Sequence, residues 1–344
     1  MIAALLAAVC PASSRAADPE LELEAELGTG VDTNPERLEG PGVRSDGFAS
    51  LLMRGKARSS GERFGLAAAL TEAGRLYPGV SGATAVASRL DASARLSLSP
   101  RLSAGAAVLA SDLTESGDRL DQNALHAEAS LAWTGGRWGA SLSGGWTLFV
   151  PRPQPVRAFL ASGPEARLRA WWAAAREHVL AAGYSWWSAG YPRWNDIAPG
   201  GRDDRTQTVW AEYAHRGSFL AALGYAYSWN TSTAAGGAFQ RHRVTARAAA
   251  FLPFRFSLAA RASLQWAHYP EPLFVAEELL LAQGQETQDA LEVRLTRPIG
   301  GSVDVGLAFA LYGSESVADG AAPGFSRTVL SAVIGWRGAW PGEE

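Results

Sequence analysis

Residues 20–27 read Glu20-Leu21-Glu22-Leu23-Glu24-Ala25-Glu26-Leu27, with charged and apolar residues at alternate positions. In a β-strand successive side chains point to opposite faces, so the glutamates of this segment share one face and its apolar residues share the other. The pattern therefore predicts a strand that has one face in polar surroundings and the other in apolar surroundings.

The same period of two recurs along the rest of the chain. Apolar residues alternate over residues 51–57 and 64–70, and a final segment of this kind covers residues 328–340. Turn residues separate the segments, and glycine alone occurs 37 times in 344 residues. We count about 16 segments, joined alternately by brief connections such as residues 99–101 and by longer polar ones such as residues 32–45.

This organisation predicts an all-β fold, a closed antiparallel transmembrane β-barrel with short periplasmic turns and longer extracellular loops. Beyond the N-terminus the sequence has no run approaching the roughly 18 apolar residues that a spanning helix needs. We expect the first and last strands to pair, because hydrocarbon offers no hydrogen-bond partner to a sheet edge. The alternative is a soluble, repeat-rich β protein such as a sandwich or a propeller, whose strands also alternate.

Aromatic residues at both ends of the predicted apolar faces favour the barrel. Two girdles of this kind are typical of the membrane–water interfaces of outer-membrane barrels. The residues near short connections are Phe64, Trp133, Trp138, Trp172, Phe219, Phe256 and Trp336, and those near long connections are Trp146, Trp186, Trp229 and Trp266.

The N-terminus predicts export. An apolar run over residues 1–9 precedes Ser14-Arg15-Ala16, a small-x-small cleavage pattern, so we expect a signal peptide over residues 1–16 and the barrel over residues 17–344. Because Cys10 is the only cysteine, the mature chain would have no disulfide, cysteine nucleophile or thiolate metal site. The expected location is the outer membrane of a Gram-negative bacterium. The expected partners are outer-membrane lipid, lipopolysaccharide and the barrel-assembly machinery, with no nucleic acid.

The first hairpin carries matched charges on its predicted lumen face. A turn centred on Gly40 would place Glu26 opposite Arg54, Glu24 opposite Lys56 and Glu22 opposite Arg58. One interpretation is a charged collar at the periplasmic mouth. The other is a structural ladder that neutralises charge and sets the strand register.

Five arginines form a less balanced set of predicted pore-lining residues. Arg241, Arg243 and Arg247 share the inward face of one strand, and Arg261 and Arg294 point inward from the next two. One hypothesis is a constriction that attracts anionic solutes or acidic sugars, since a low-dielectric pore focuses the field of like charges. The alternative is pairing with Glu292, Asp304 or an infolded loop.

The sequence offers little for catalysis or metal binding. The five histidines, at positions 126, 178, 215, 242 and 268, lie in no recognisable motif, and only His126 shares an inward face with a nearby acid, Glu128. The loop acids Asp112, Glu115, Asp118 and Asp121 do not have the spacing of a standard calcium loop. We therefore expect no catalytic residue, no metal and no cofactor.

The segment Gly28-Thr29-Gly30-Val31-Asp32-Thr33-Asn34-Pro35 resembles the opening of several Gram-negative outer-membrane barrels. These include barrels of exopolysaccharide-export systems and barrels that carry a periplasmic helical-repeat domain. The resemblance covers the first hairpin and implies a conduit for a secreted polymer. Since no helical-repeat segment accompanies this barrel, it also implies separate periplasmic export components.

Three functions follow as expectations. The leading one is a porin-like outer-membrane channel that passes polar solutes through a charged lumen. The second is an outer-membrane export barrel of an exopolysaccharide or surface-assembly system, and the third is a barrel enzyme with a lumenal site at His126.

Overall fold

The structure, a computed structural model, describes residues 20–35, 43–116, 121–152, 156–196, 199–234, 237–268, 289–313 and 326–340. The predicted signal peptide over residues 1–16, Cys10, Gly40 and Asp118 lie outside these residues.

Each alternating segment of the sequence forms a β-strand. The strands are β1 (Glu20–Asp32), β2 (Asp46–Ser60), β3 (Phe64–Leu76), β4 (Ala85–Ser99), β5 (Leu102–Glu115), β6 (Gln122–Gly135), β7 (Trp138–Pro151), β8 (Ala161–Ala175), β9 (His178–Gly190), β10 (Asp203–Arg216), β11 (Phe219–Ser232), β12 (Phe239–Phe251), β13 (Ser257–His268), β14 (Asp289–Pro298), β15 (Val303–Gly313) and β16 (Ser326–Trp340).

The strands form one closed antiparallel barrel in chain order, which confirms the predicted fold class and strand number. Closure is made by β1 and β16, whose register runs from Leu21 opposite Trp340 to Asp32 opposite Val329. The first and last strands therefore satisfy each other's backbone groups, as a barrel in hydrocarbon requires.

The two ends of the barrel differ in the length of their connections. Connections at one end, here called the short-turn end, have two to five residues, whereas those at the other, the long-loop end, have six to twenty. Because the strand number is even, β1 begins and β16 ends at the short-turn end. Asp112 and Glu115, expected in a loop, lie in a strand instead, since β5 continues to Glu115 and β6 begins at Gln122.

Large apolar side chains cover the outside of the barrel, and no second layer of the described residues lies over them. Leu142, Leu223 and Leu307 are each 57% exposed. A continuous belt of such residues is unfavourable in water and is the surface that hydrocarbon contacts in transmembrane barrels. In the described part of the chain, no helix is long and apolar enough to cross a membrane.

Aromatic residues border this apolar belt. On β7, Trp138 lies beside the short turn and Trp146 towards the long-loop end, and both are more than half exposed on the outer face. Trp138 also stacks on Trp172 of β8, with ring centroids 5.3 Å apart.

Candidate functional site: the charged lumen

Ion pairs between strands that are not neighbours identify the inner face of the barrel. Arg294 on β14 pairs with Glu26 on β1, across β15 and β16, and Arg247 on β12 pairs with Glu212 on β10, across β11. Side chains meet across an intervening strand only on the concave side of a closed sheet. Glu26, and with it the other glutamates of residues 20–26, therefore faces the lumen.

The predicted charge ladder of the first hairpin exists, but its register is shifted by two residues. Glu22 lies opposite Lys56 and Glu24 opposite Arg54. Glu20 lies opposite Arg58, and Glu26 lies opposite Leu52. The predicted opposite positions were wrong because the strands do not pair symmetrically about Gly40, although Lys56 Nζ still lies 3.8 Å from Glu24. The predicted faces were right, because a shift of two residues returns every side chain to the same side.

The ladder extends beyond the hairpin to β16. Lys56 Nζ lies 3.0 Å from a carboxylate oxygen of Glu22, and Arg54 Nη1 lies 3.4 Å from one of Glu24. Arg337 of β16 places its Nε 3.1 Å from Glu24 as well. Glu22 and Glu24 therefore each meet cations from both neighbouring strands, which is how a structural ladder helps to hold the closing strands in register.

The five predicted pore-lining arginines, here called the arginine cluster, all lie on the lumen face of β12, β13 and β14. Arg247 lies directly opposite Arg261 in the register. Arg261 also lies opposite Glu292, yet no ion pair joins them. Arg247 and Arg294 instead pair with Glu212 and Glu26, which come from strands that are not adjacent.

Two members of the arginine cluster keep their charge uncompensated. Within the described ranges, neither Arg243 nor Arg261 forms an ion pair, and the Nε of Arg243 is buried without a hydrogen-bond partner. Arg241 lies near the ring of Phe239, with its guanidinium carbon 5.4 Å from the ring centroid. The cluster is thus partly neutralised and partly open to the lumen.

A second polar cluster lies on the opposite wall, on β6, β7 and β8. His126 Nε2 is 3.5 Å from Glu128, and His126 Nδ1 is 3.3 Å from Glu165 and 3.1 Å from the hydroxyl of Thr147. Arg167 lies 3.0 Å from Glu165 and 3.8 Å from Glu128. The predicted His126–Glu128 pair therefore belongs to a larger network in which one arginine contacts both carboxylates and offsets part of their charge.

A cavity of about 660 Å³ lies beside this network. Small side chains of β3 and β5, including Ala69 and Ala107, widen the lumen here, while Lys56, Asp91 and Glu128 contribute charge. The lumen is thus polar and roomy on this side.

Of the predicted loop acids that the structure describes, Asp112 and Asp121 both pair with the same arginine. Arg152 lies 3.3 Å from Asp112 and 3.7 Å from Asp121. Asp121 also accepts a hydrogen bond from the backbone N–H of Glu115 at 2.6 Å. An arginine thus occupies the position between these acids.

Packed side chains narrow the lumen at the long-loop end from two sides. On one side Phe159 packs edge-on against Trp194, with ring centroids 5.4 Å apart, and Arg202 covers Trp194 while pairing with Asp204 at 2.6 Å. The cluster on the other side consists of Phe48, Tyr77, Val80, Ala83 and Val329. Sequence reasoning missed both clusters, since their members are far apart in the chain.

The Asp32–Asn34 motif has a structural role beside the second of these clusters. Asp32 is fully buried, and it accepts hydrogen bonds from Arg327 Nε at 2.9 Å and from the hydroxyl of Tyr77 at 2.6 Å. The backbone N–H of Asn34 donates to the same carboxylate at 3.1 Å. Burial raises the pKa of Tyr77, so this phenol stays neutral and continues to donate. The motif therefore locks the β1–β16 closure at the long-loop end.

An even-stranded closed barrel with an apolar belt, aromatic borders and a charged interior belongs to the class of outer-membrane-type transmembrane β-barrels. No protein-family model matches the chain, and no curated protein matches it.

Several solved barrels are similar to this chain over most of their length. One described as a bacterial polysaccharide outer membrane secretin has 10% identity and a TM-score of 0.47, with 92% of this chain and 98% of that chain covered. The deltaS2 mutant of the TodX monoaromatic hydrocarbon channel has 10% identity and a TM-score of 0.42, with coverage of 95% and 91%. A mutant of the Rh. blastica porin has 13% identity and a TM-score of 0.40, with coverage of 92% and 100%.

Proposed function

We propose that this protein is an outer-membrane channel of a Gram-negative bacterium that passes polar solutes and favours anions. The apolar belt supports placement in a bilayer, and the charged, roomy lumen supports passage of polar solutes. Outer-membrane lipid and lipopolysaccharide would contact the belt, and the barrel-assembly machinery would insert it.

One observation carries the anion preference. Arg243 and Arg261 face the lumen, and neither meets a carboxylate among the residues that the structure describes. Uncompensated cations inside a low-dielectric wall raise the local concentration of anions and the barrier to cations. Arg247 contributes less, because Glu212 neutralises it.

Single-channel recording in planar bilayers tests this proposal. Under a salt gradient the wild-type reversal potential should shift towards that of chloride. In the double variant Arg243→Gln and Arg261→Gln, the ratio of anion to cation permeability should fall about two- to five-fold, as expected for removal of two charges a few ångströms from the ion path.

Arg297→Gln is the matched control. Arg297 is on β14 like Arg294 but points outwards, with its guanidinium carbon 5.4 Å from the ring centroid of Phe256. The same change of charge on the outer face should leave selectivity unaltered. A cation-selective wild type, or equal effects of the two sets of variants, would contradict the anion preference.

The export-barrel hypothesis differs in a measurable way. An export barrel that opens only with periplasmic components conducts no ions by itself after insertion. A folded, inserted and silent barrel would therefore overturn the channel proposal and favour export of a polymer. The expectation that the protein is not an enzyme stays a prediction.

A further inference from the structure

Histidine and glutamate side chains converge at two places in the described part of the chain. One is the lumenal group of His126, Glu128 and Glu165, and the other is Glu177, His178 and His215 at the short-turn end. In the lumenal group Arg167 already forms ion pairs with both carboxylates, so a cation would have to compete with it. Within the described ranges Glu177 forms no ion pair, so the second group remains available to a cation.

We propose that Glu177, His178 and His215 bind a divalent transition-metal ion, with Zn²⁺ as the ion that this donor set fits. Two imidazoles and a carboxylate are a common set of three protein ligands for zinc. The site lies outside the lumen, so it does not depend on the proposed channel function.

The strand register brings the two imidazoles together. His178 on β9 lies directly opposite His215 on β10. The adjacent pair towards the turns, Glu177 and Arg216, is hydrogen-bonded, since the N–H of Arg216 donates to the carbonyl of Glu177 at 2.8 Å. In an antiparallel ladder the histidine pair is then the non-hydrogen-bonded kind, whose side chains lie closer together. The two ring centroids are 5.0 Å apart.

A tyrosine orients one of the rings. Nδ1 of His178 lies 2.7 Å from the hydroxyl of Tyr213, which is two residues before His215 and on the same face. Metal-binding histidines usually hold one ring nitrogen in such a hydrogen bond and present the other to the metal. Nε2 of His178 is therefore the expected ligand atom.

Glycine in the neighbouring turn leaves space for the ion. A Cβ at position 217 would lie 2.6 Å from Nε2 of His215 and 3.3 Å from Oε2 of Glu177. One nitrogen from each imidazole and one carboxylate oxygen of Glu177 lie within 4.8 Å of one another. A tetrahedral zinc ion holds its ligand atoms about 3.3 Å apart, so modest side-chain rotations would complete the site and leave a fourth position for water.

A bound ion would cross-link the β8–β9 turn to β10 on the outer rim. The ring of His215 also packs against Phe219, with centroids 4.7 Å apart, beside the aromatic border of the apolar belt. The metal would thus brace the rim of the barrel where it leaves the membrane.

Titration calorimetry with ZnCl₂ on the full-length, chelator-treated barrel in detergent tests the proposal. The wild type should bind one equivalent, and added Co²⁺ should give the intense visible absorption of a four-coordinate ion. His178→Ala and His215→Ala should each weaken binding at least about tenfold. Gly217→Ala, which keeps all three ligands, should also weaken it.

His242→Ala and His126→Ala are the controls. His242 also lies on the outer face, where it stacks on Trp266 with centroids 5.3 Å apart, and His126 belongs to the lumenal group. Both variants should bind as the wild type does. Three results would each overturn the site. They are the absence of saturable binding in the wild type, binding that survives the loss of both His178 and His215, and loss of binding in His126→Ala.

Discussion

The substitution Leu142→Arg tests whether the outer belt lies in hydrocarbon. Leu142 is on the outer face of β7, four residues from Trp138 and four from Trp146, and 57% of its surface is exposed. If the two tryptophans mark the membrane interfaces, Leu142 lies near the bilayer midplane.

The expected loss of stability follows from this position. The separation of eight residues between the two tryptophans spans about 27 Å along the strand, or about 20 Å along the membrane normal at a tilt of about 40°. Leu142 is then about 10 Å from each border. An arginine near the midplane on the lipid face of a barrel costs about 2–4 kcal/mol, a change of about 30- to 700-fold in the folding equilibrium.

Leu109→Arg provides the matched control. Leu109 is on the lumen face of β5, where its register neighbours are Asp91 and His126, so an arginine there should cost less than about 1 kcal/mol. The free energy of unfolding would be measured by tryptophan fluorescence in guanidinium with lipid vesicles. Equal losses in the two variants, or no loss for Leu142→Arg, would refute the placement of the outer face in hydrocarbon.

Three further predictions concern buried contacts. Asp32→Asn leaves the buried guanidinium of Arg327 without its counter-charge and should cost about 3–5 kcal/mol of unfolding free energy in the same assay. Asp91→Asn breaks the exposed pair with Arg89 and should cost about 0–1 kcal/mol. Similar losses in the two variants would contradict the role of burial. Gly183→Val places a Cβ 2.6 Å from the ring of Trp210 and should lower the free energy of unfolding by about 1–3 kcal/mol. The displaced ring should become more accessible to aqueous iodide, so iodide quenching of tryptophan fluorescence should increase. Unchanged quenching would count against this packing. Burial raises the pKa of Tyr191 above its ordinary 10.0. The stability that this neutral phenol contributes is therefore complete below pH 10 and is lost as the pH rises from there towards the folded-state pKa. The free energy of unfolding of Tyr191→Phe should fall less than that of the wild type between about pH 9 and 11, and identical losses would argue against the raised pKa.

The outer face of the barrel could be predicted because it depends on local order alone. The alternation of Glu20 to Leu27 assigns each side chain to a face without any knowledge of its partners. The same reasoning places Trp138 and Trp146 outwards, and the register confirms this orientation.

The partners of the lumenal charges could not be predicted in this way. The predicted register of Glu22 and Glu24 against β2 was shifted by two residues, because the register of this hairpin depends on the geometry of its long loop. Glu26 meets Arg294 only because the sheet curves and closes, which brings β14 towards β1 across two intervening strands. The approach of His178 to His215 likewise depends on the pairing of β9 with β10.

The sequence by itself determined the architecture: an even number of amphipathic strands, with one face for lipid and one for the lumen. Only the tertiary structure decided which charges neutralise one another and which arginines remain open to the lumen. It also decided that Asp32 is buried against Arg327, which is 295 residues away in the sequence. The physical reason is the distance over which each property is set. A strand's face is set by the two-residue period of its own backbone, whereas ion pairing and burial depend on distances across a closed sheet.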